Sequence, residues 1–114
     1  MLQMTSEKKS NSATKSRGPV PLGHGSVKAS SALLKAAANE NRLMMLNLLR
    51  DGEKSVQELG KALKLRQPTV SQHLARLRED DMVKTRRQGQ TIYYSLANTK
   101  VRRLIDLLRR MHAA

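Results

Sequence analysis

Residues 55–77 read SVQELGKALKLRQPTVSQHLARL, and their spacing decides the fold. Ser55-Val56-Gln57-Glu58 is a capping box: the serine hydroxyl accepts from an N–H of the first helical turn, and the glutamate reaches back to the serine N–H. Val56, Leu59 and Leu63 then fall at i, i+3 and i+7, one face of a short helix. Lys64-Leu65-Arg66-Gln67 is a tight turn. Pro68 suits the first turn of a second helix, where its missing N–H costs nothing. Val70, Leu74 and Leu77 repeat at i, i+4 and i+7. Two short helices around a tight turn describe a helix-turn-helix.

Downstream, the hydrophobic period changes from helical to twofold. Met82–Arg87 and Thr91–Leu96 are expected as strands, with Ile92, Tyr94 and Leu96 on one face and Gln88-Gly89-Gln90 as the loop. A basic hairpin after the second helix makes the pattern a winged helix-turn-helix. Asn98 caps a last helix running to about Met111, with Val101, Leu104, Ile105, Leu108 and Met111 as its apolar stripe. That stripe is more than a lone helix can hide in so small a domain, so a partner helix is expected. With Lys100, Arg102, Arg103, Arg109 and Arg110 the same helix also reads as a basic amphipathic segment for a membrane surface or a groove.

Upstream, Ala29–Ala38 favours helix. Asn39 suits an N-cap for Glu40–Arg50, whose Leu43, Met44, Met45, Leu46, Leu48 and Leu49 cover most of the cylinder and predict central burial. Asp51-Gly52 ends that helix. Residues 1–25 are expected to be a disordered basic arm, because Gly18-Pro19, Pro21 and Gly23 to Gly25 block regular elements. Such an arm either adds non-specific DNA affinity or is a solvated tail. The expected architecture is mainly α with a small β part (α+β), in the order helix, helix, helix, helix, strand, strand, helix. One domain over 26–114 both binds DNA and dimerises.

Composition narrows the partner. The chain has 114 residues, 22 Lys plus Arg and 9 Asp plus Glu, a net charge of +13. The excess is spread evenly along the chain: residues 1–25, 26–65 and 66–99 each carry +3 and residues 100–114 carry +4. The folded domain itself is therefore basic, which points to a polyanion, most often nucleic acid. Tyr93 and Tyr94 are the only aromatics, too few for a base-stacking platform. There is no cysteine, which removes disulfides, thiolate metal sites and a cysteine nucleophile. The first residues lack a secretory apolar core. The apolar run around Leu43 to Leu49 is too short to span a bilayer and contains Asn47. A cytoplasmic, nucleoid-associated protein without membrane attachment is expected. No nucleophile–base spacing or phosphate-binding glycine loop marks an enzyme.

The candidate site residues follow from the helical wheel. Thr69, Gln72 and Arg76 point away from the Val70, Leu74 and Leu77 edge. Gln can pair with adenine, Arg with guanine, and a Thr methyl can touch thymine. Gln67 and Ser71 join them near the helix N-terminus, whose free N–H groups suit phosphate. Arg66 places a cation at the groove edge, and His73 points obliquely, as a packing or hydrogen-bonding residue rather than a metal ligand. Lys84, Arg86, Arg87, Gln88 and Gln90 give the hairpin its DNA contact. Glu79, Asp80 and Asp81 are expected at the far end of the helix.

With these residues in place, the chain resembles the ArsR/SmtB winged-helix transcriptional regulators. The matching stretches are Ala38-Asn39-Glu40-Asn41-Arg42-Leu43, Ser55-Val56-Gln57-Glu58-Leu59, Val70-Ser71-Gln72-His73-Leu74-Ala75-Arg76-Leu77 and Gln90-Thr91-Ile92-Tyr93-Tyr94-Ser95-Leu96. The last two look most like the branch that holds HlyU and the thiol- and persulfide-sensing repressors. The resemblance implies a homodimer through the first and last helices, here Leu33, Leu34, Val101, Leu104, Ile105, Leu108 and Met111. It also implies recognition helices in successive major grooves of a near-palindromic operator.

Departures from that pattern matter. The thiol-sensing branch carries one cysteine in the second helix and one in the last; Asn47 occupies the first position and nothing near Met111 replaces the second. Val56 to Gly60 offers a single carboxylate where relatives hold metal. Asp106 and His112 are six residues apart and do not share a helix face. No metal, cofactor or effector is therefore assigned. Arg66 stands where relatives have a capping Ser or Thr, and Asp81 where they have Gly. The sequence thus predicts a dimeric, sequence-specific regulator of double-stranded DNA, typically a repressor. A sequence-tolerant basic or anti-silencing DNA binder and a winged-helix protein-interaction module are the alternatives.

Overall fold

The computed structural model describes residues 20–113. The elements are α1 (His24–Ala37), α2 (Glu40–Leu49), β1 (Lys54–Ser55), α3 (Val56–Leu63), α4 (Gln67–Glu79), β2 (Val83–Gln88), β3 (Thr91–Leu96) and α5 (Thr99–Met111). Three helix starts are fixed by side-chain caps. The Asn39 side-chain Oδ1 accepts from the Arg42 N–H at 3.1 Å, and that of Asn98 from the Val101 N–H at 3.1 Å. At α3 both halves of the Ser55/Glu58 box form, at 3.1 and 2.8 Å. Each such cap satisfies backbone donors that would otherwise lack a partner.

The core is built from one edge of each element. Met45, Leu46 and Leu49 of α2 meet Leu59 of α3, Val70, Leu74 and Leu77 of α4, Val83 and Leu96 of the hairpin, and Val101 and Ile105 of α5. Met82 fills the space between α4 and the hairpin, and is fully buried. Within the helix-turn-helix, the Leu65 N–H bonds the Gly60 carbonyl at 2.9 Å. A Cβ on Gly60 would sit 3.0 Å from the Leu65 carbonyl oxygen, so glycine lets the turn fold back onto α3. Lys64 closes α3 in the left-handed region at φ 57°, and Asp81 follows α4 at φ 56°. The sheet is antiparallel in the order β1-β3-β2. Gln88 pairs with Thr91, which leaves a two-residue turn with Gly89 at φ 62°.

Several expectations need correction. β1 was not foreseen: Lys54 and Ser55 pair with Tyr94 and Tyr93, and two residues are too few to show a period. The hairpin's first strand runs Val83–Gln88, one residue later than expected, and Met82 turns into the core instead. The first helix begins at His24 rather than Ala29. The glycines do not block it, because Gly23 serves as N-cap and Gly25 lies in the first turn, where few backbone bonds are at stake. His24 is thus the first helical residue and not part of an arm. The rest of the expected arm, residues 1–19, lies outside the described residues. On α2, Met45, Leu46 and Leu49 are buried and Leu43 and Leu48 pack against the core as expected, while Met44 is 42% exposed. Among the described residues no helix is long and apolar enough to cross a membrane.

Candidate nucleic-acid interface

The orientation of α4 follows from its apolar edge. Val70, Leu74 and Leu77 are fully buried, which turns Gln67, Ser71, Gln72 and Arg76 out to solvent. Thr69 and His73 lie half-buried on the flanks. Arg66 is exposed at the N-cap and makes no side-chain cap bond, so the first N–H groups of α4 are open to an acceptor from outside. Arg76 is not free: its Nε donates to Asp80 Oδ2 at 2.7 Å. Asp80 therefore does not lie idle at the far end of the helix but reaches back one turn.

The hairpin divides its arginines by the twofold pleat. Lys84, Arg86 and Gln88 share one face, and Val83, Thr85 and Arg87 the other. Arg86 is engaged at all three nitrogens: it donates to both Glu53 carboxylate oxygens, at 2.5 and 3.2 Å, and to Gln88 Oε1 at 2.9 Å. Its guanidinium carbon lies 4.9 Å from the centroid of the Tyr93 ring opposite. This fork holds the Glu53 carboxyl below its usual range. Arg87 and Gln90 remain exposed at the tip. The Glu53 anchor was invisible in the sequence because 33 residues separate the partners.

The expected dimer residues fall into three groups. Val101 and Ile105 are 0% and 2% exposed and pack into the chain's own core, so they anchor α5 rather than face a partner. Leu33, Leu104 and Leu108 are half-buried against that core. Leu34 and Met111 are 54% and 64% exposed. Val27, Met44 and Leu107 are exposed as well and were missed. Leu107 lies four residues before Met111, a spacing that marks it as surface once the core takes Val101 and Ile105.

Asn47 is tied directly to the last helix. Its Oδ1 and backbone carbonyl accept from Arg109 at 2.8 and 2.7 Å, and Arg109 also bonds both Asp51 oxygens at 3.1 and 2.9 Å. Beside it Arg50 forks onto Asp106 at 2.5 and 3.3 Å. Asp106 is thereby committed to a guanidinium, while His112 is exposed at the end of α5. Among the described residues no three His, Cys, Asp or Glu side chains gather as metal ligands.

Comparison with known proteins agrees with this geometry. Residues 39–85 match the model of the bacterial regulatory protein, arsR family. The transcriptional activator HlyU of Vibrio cholerae is 51% identical over 80 residues, 70% of this chain and 74% of that one. Its solved structure superposes with a TM-score of 0.78 and 44% identity, over 81% of this chain and all of that one. A biofilm growth-associated repressor of Agrobacterium fabrum is 45% identical over 93 residues, 80% of each chain. A homodimeric winged helix-turn-helix DNA-binding domain from Mycobacterium bovis has a TM-score of 0.69 and 33% identity, covering 75% of this chain and 79% of that one.

Proposed function

The chain belongs to the arsR family of bacterial regulatory proteins, and from that premise we propose that two copies bind one near-palindromic operator, each presenting α4 to a major groove. The chain is a DNA-binding transcription regulator with a winged helix-turn-helix fold. The observation that carries the proposal is the buried Val70, Leu74 and Leu77 edge, which leaves Gln67, Ser71, Gln72 and Arg76 together in solvent. In this reading Gln72 and the terminal nitrogens of Arg76, which the Nε–Asp80 bond leaves over, read base edges, and Thr69 and His73 line the flanks of the contact. Gln67, Ser71 and Arg66 fix the helix N-terminus on phosphate.

Arg87 and Gln90 extend the contact through the hairpin, while Arg86, braced by Glu53 and Gln88, sets the hairpin's direction. Leu34 and Met111, with Val27, Met44 and Leu107, supply the apolar surface for the second copy. The resulting dimer resides on the nucleoid. A relative named as an activator and one named as a repressor are both similar to this chain in sequence. Blocking a promoter and displacing another DNA-bound protein need the same operator contact, so the reading concerns the contact and not its sign.

The test is fluorescence anisotropy of the full chain with duplex from upstream of its own gene and with a scrambled duplex, over several salt concentrations. A preference of about a thousandfold or more for the upstream duplex is expected. Equal, steeply salt-dependent binding to both points to a sequence-tolerant DNA binder instead.

A further inference from the structure

At 3.6 residues per turn, α1 presents three separate strips. Leu33, Ala36 and Ala37 face the core. Val27 and Leu34 form an exposed apolar strip, 51% and 54% accessible. His24, Lys28, Ser31 and Lys35 form a third, which together with Val27 and Ala32 lines an open cleft shared with α4. The opposite wall of the cleft is Arg76 with Asp80. Arg76 lies one turn beyond Gln72 on α4, so the cleft continues the polar face of the recognition helix. Asp80 is the one acidic group lining the cleft, and Arg76 already neutralises it at 2.7 Å. Among the described residues neither Lys28 nor Lys35 has an acidic partner within 4.0 Å.

We infer that the Lys28 and Lys35 strip of α1, beside Arg76, is a second phosphate-binding track, which holds the DNA backbone next to the groove occupied by α4. Lys28 and Lys35 are two turns apart, about 10.5 Å along the axis. That separation is enough for the two ammonium groups to meet different phosphates of one strand. The apolar strip of α1 borders the track, with Val27 at the edge of the cleft and Leu34 turned away from it. The track rests on the proposed DNA reading of α4. It adds affinity without sequence preference, since phosphates carry none.

The experiment compares wild type with the double variant Lys28→Ala, Lys35→Ala, by anisotropy on the upstream and scrambled duplexes from 50 to 200 mM salt. Alanine favours helix, and circular dichroism checks the fold; Lys28→Gln, Lys35→Gln is the second variant. On each duplex the slope of log affinity against log salt is expected to fall by about 1.8 per protomer bound. The affinity lost across that salt range then shrinks about tenfold per protomer, while the preference between duplexes stays constant. A control that removes equal charge elsewhere, Lys100→Ala with Arg102→Ala, is expected to keep the wild-type slope. An unchanged slope in the α1 variants, or an equal fall in the control, overturns the track. If wild type shows no preference between duplexes, the operator reading fails, and the slopes on both duplexes still decide the track.

Discussion

At the scale of single residues, the two kinds of proposed DNA contact separate cleanly. Gln72 is exposed on α4 with no intramolecular bond among the described residues, so both amide groups are available to a base edge. Gln72→Ala is expected to cost about 1–3 kcal/mol on the operator and little on scrambled duplex; a competition titration reads the ratio. The hairpin arginines behave differently from each other. Arg87 is exposed at the tip, and Arg87→Ala is expected to weaken all duplexes alike and to lower the salt slope by about 0.9 per protomer. Arg86 spends its donors on Glu53 and Gln88, so Arg86→Ala is expected to lower the melting temperature and leave the slope within half a unit. Equal slopes for the two variants would remove the distinction. Adjacent arginines look alike in a sequence; the pleat and a distant carboxylate make them different.

At the scale of elements, what was legible depended on how local the signal was. The capping box, the proline near the start of α4 and the apolar edge of that helix are patterns within a few residues, and the structure reproduces each. The clasp between α2 and α5 joins residues 56 to 62 apart, and no local pattern announces it. It also explains why the last helix presents less free apolar surface than its stripe suggests: Val101 and Ile105 are turned inward and Arg50–Asp106 and Arg109–Asn47 hold them there. The clasp predicts acid sensitivity. Arg50 holds the Asp106 carboxyl below its usual range, and Arg109 does the same to Asp51. A carboxylate with a lowered folded pKa stabilises the fold above its unfolded value and loses that contribution as pH falls through the folded value. Stability of α5 is therefore expected to be full near neutrality and to decline below about pH 4. Asp106→Asn is expected to melt lower at pH 7 and to lose less on acidification than wild type, as followed by circular dichroism. An acid limb as steep as wild type would place the sensitivity elsewhere.

At the scale of the molecule, surface and charge pull in opposite directions, and the proposed second copy reconciles them. A chain of +13 repels its own kind, yet Val27, Leu34, Met44, Leu107 and Met111 are exposed on α1, α2 and α5. Apolar contact between two copies offsets that repulsion, and a polyanion bound to both removes it, so DNA and dimerisation reinforce each other through linkage. In the proposed dimer each protomer brings one α4, and the pair binds as a bivalent unit whose second contact is intramolecular. Leu34→Glu with Met111→Glu puts two charges into the apolar surface without touching α4 or the hairpin. Both side chains are more than half exposed, so the monomer fold tolerates the change. The expected result is a monomer by sedimentation with an unchanged circular dichroism spectrum. Operator affinity is expected to fall roughly a hundredfold or more, and the salt slope to halve, because one protomer's phosphates are lost. A variant that stays dimeric would move the interface off these helices; a monomer with full operator affinity would show that one copy suffices.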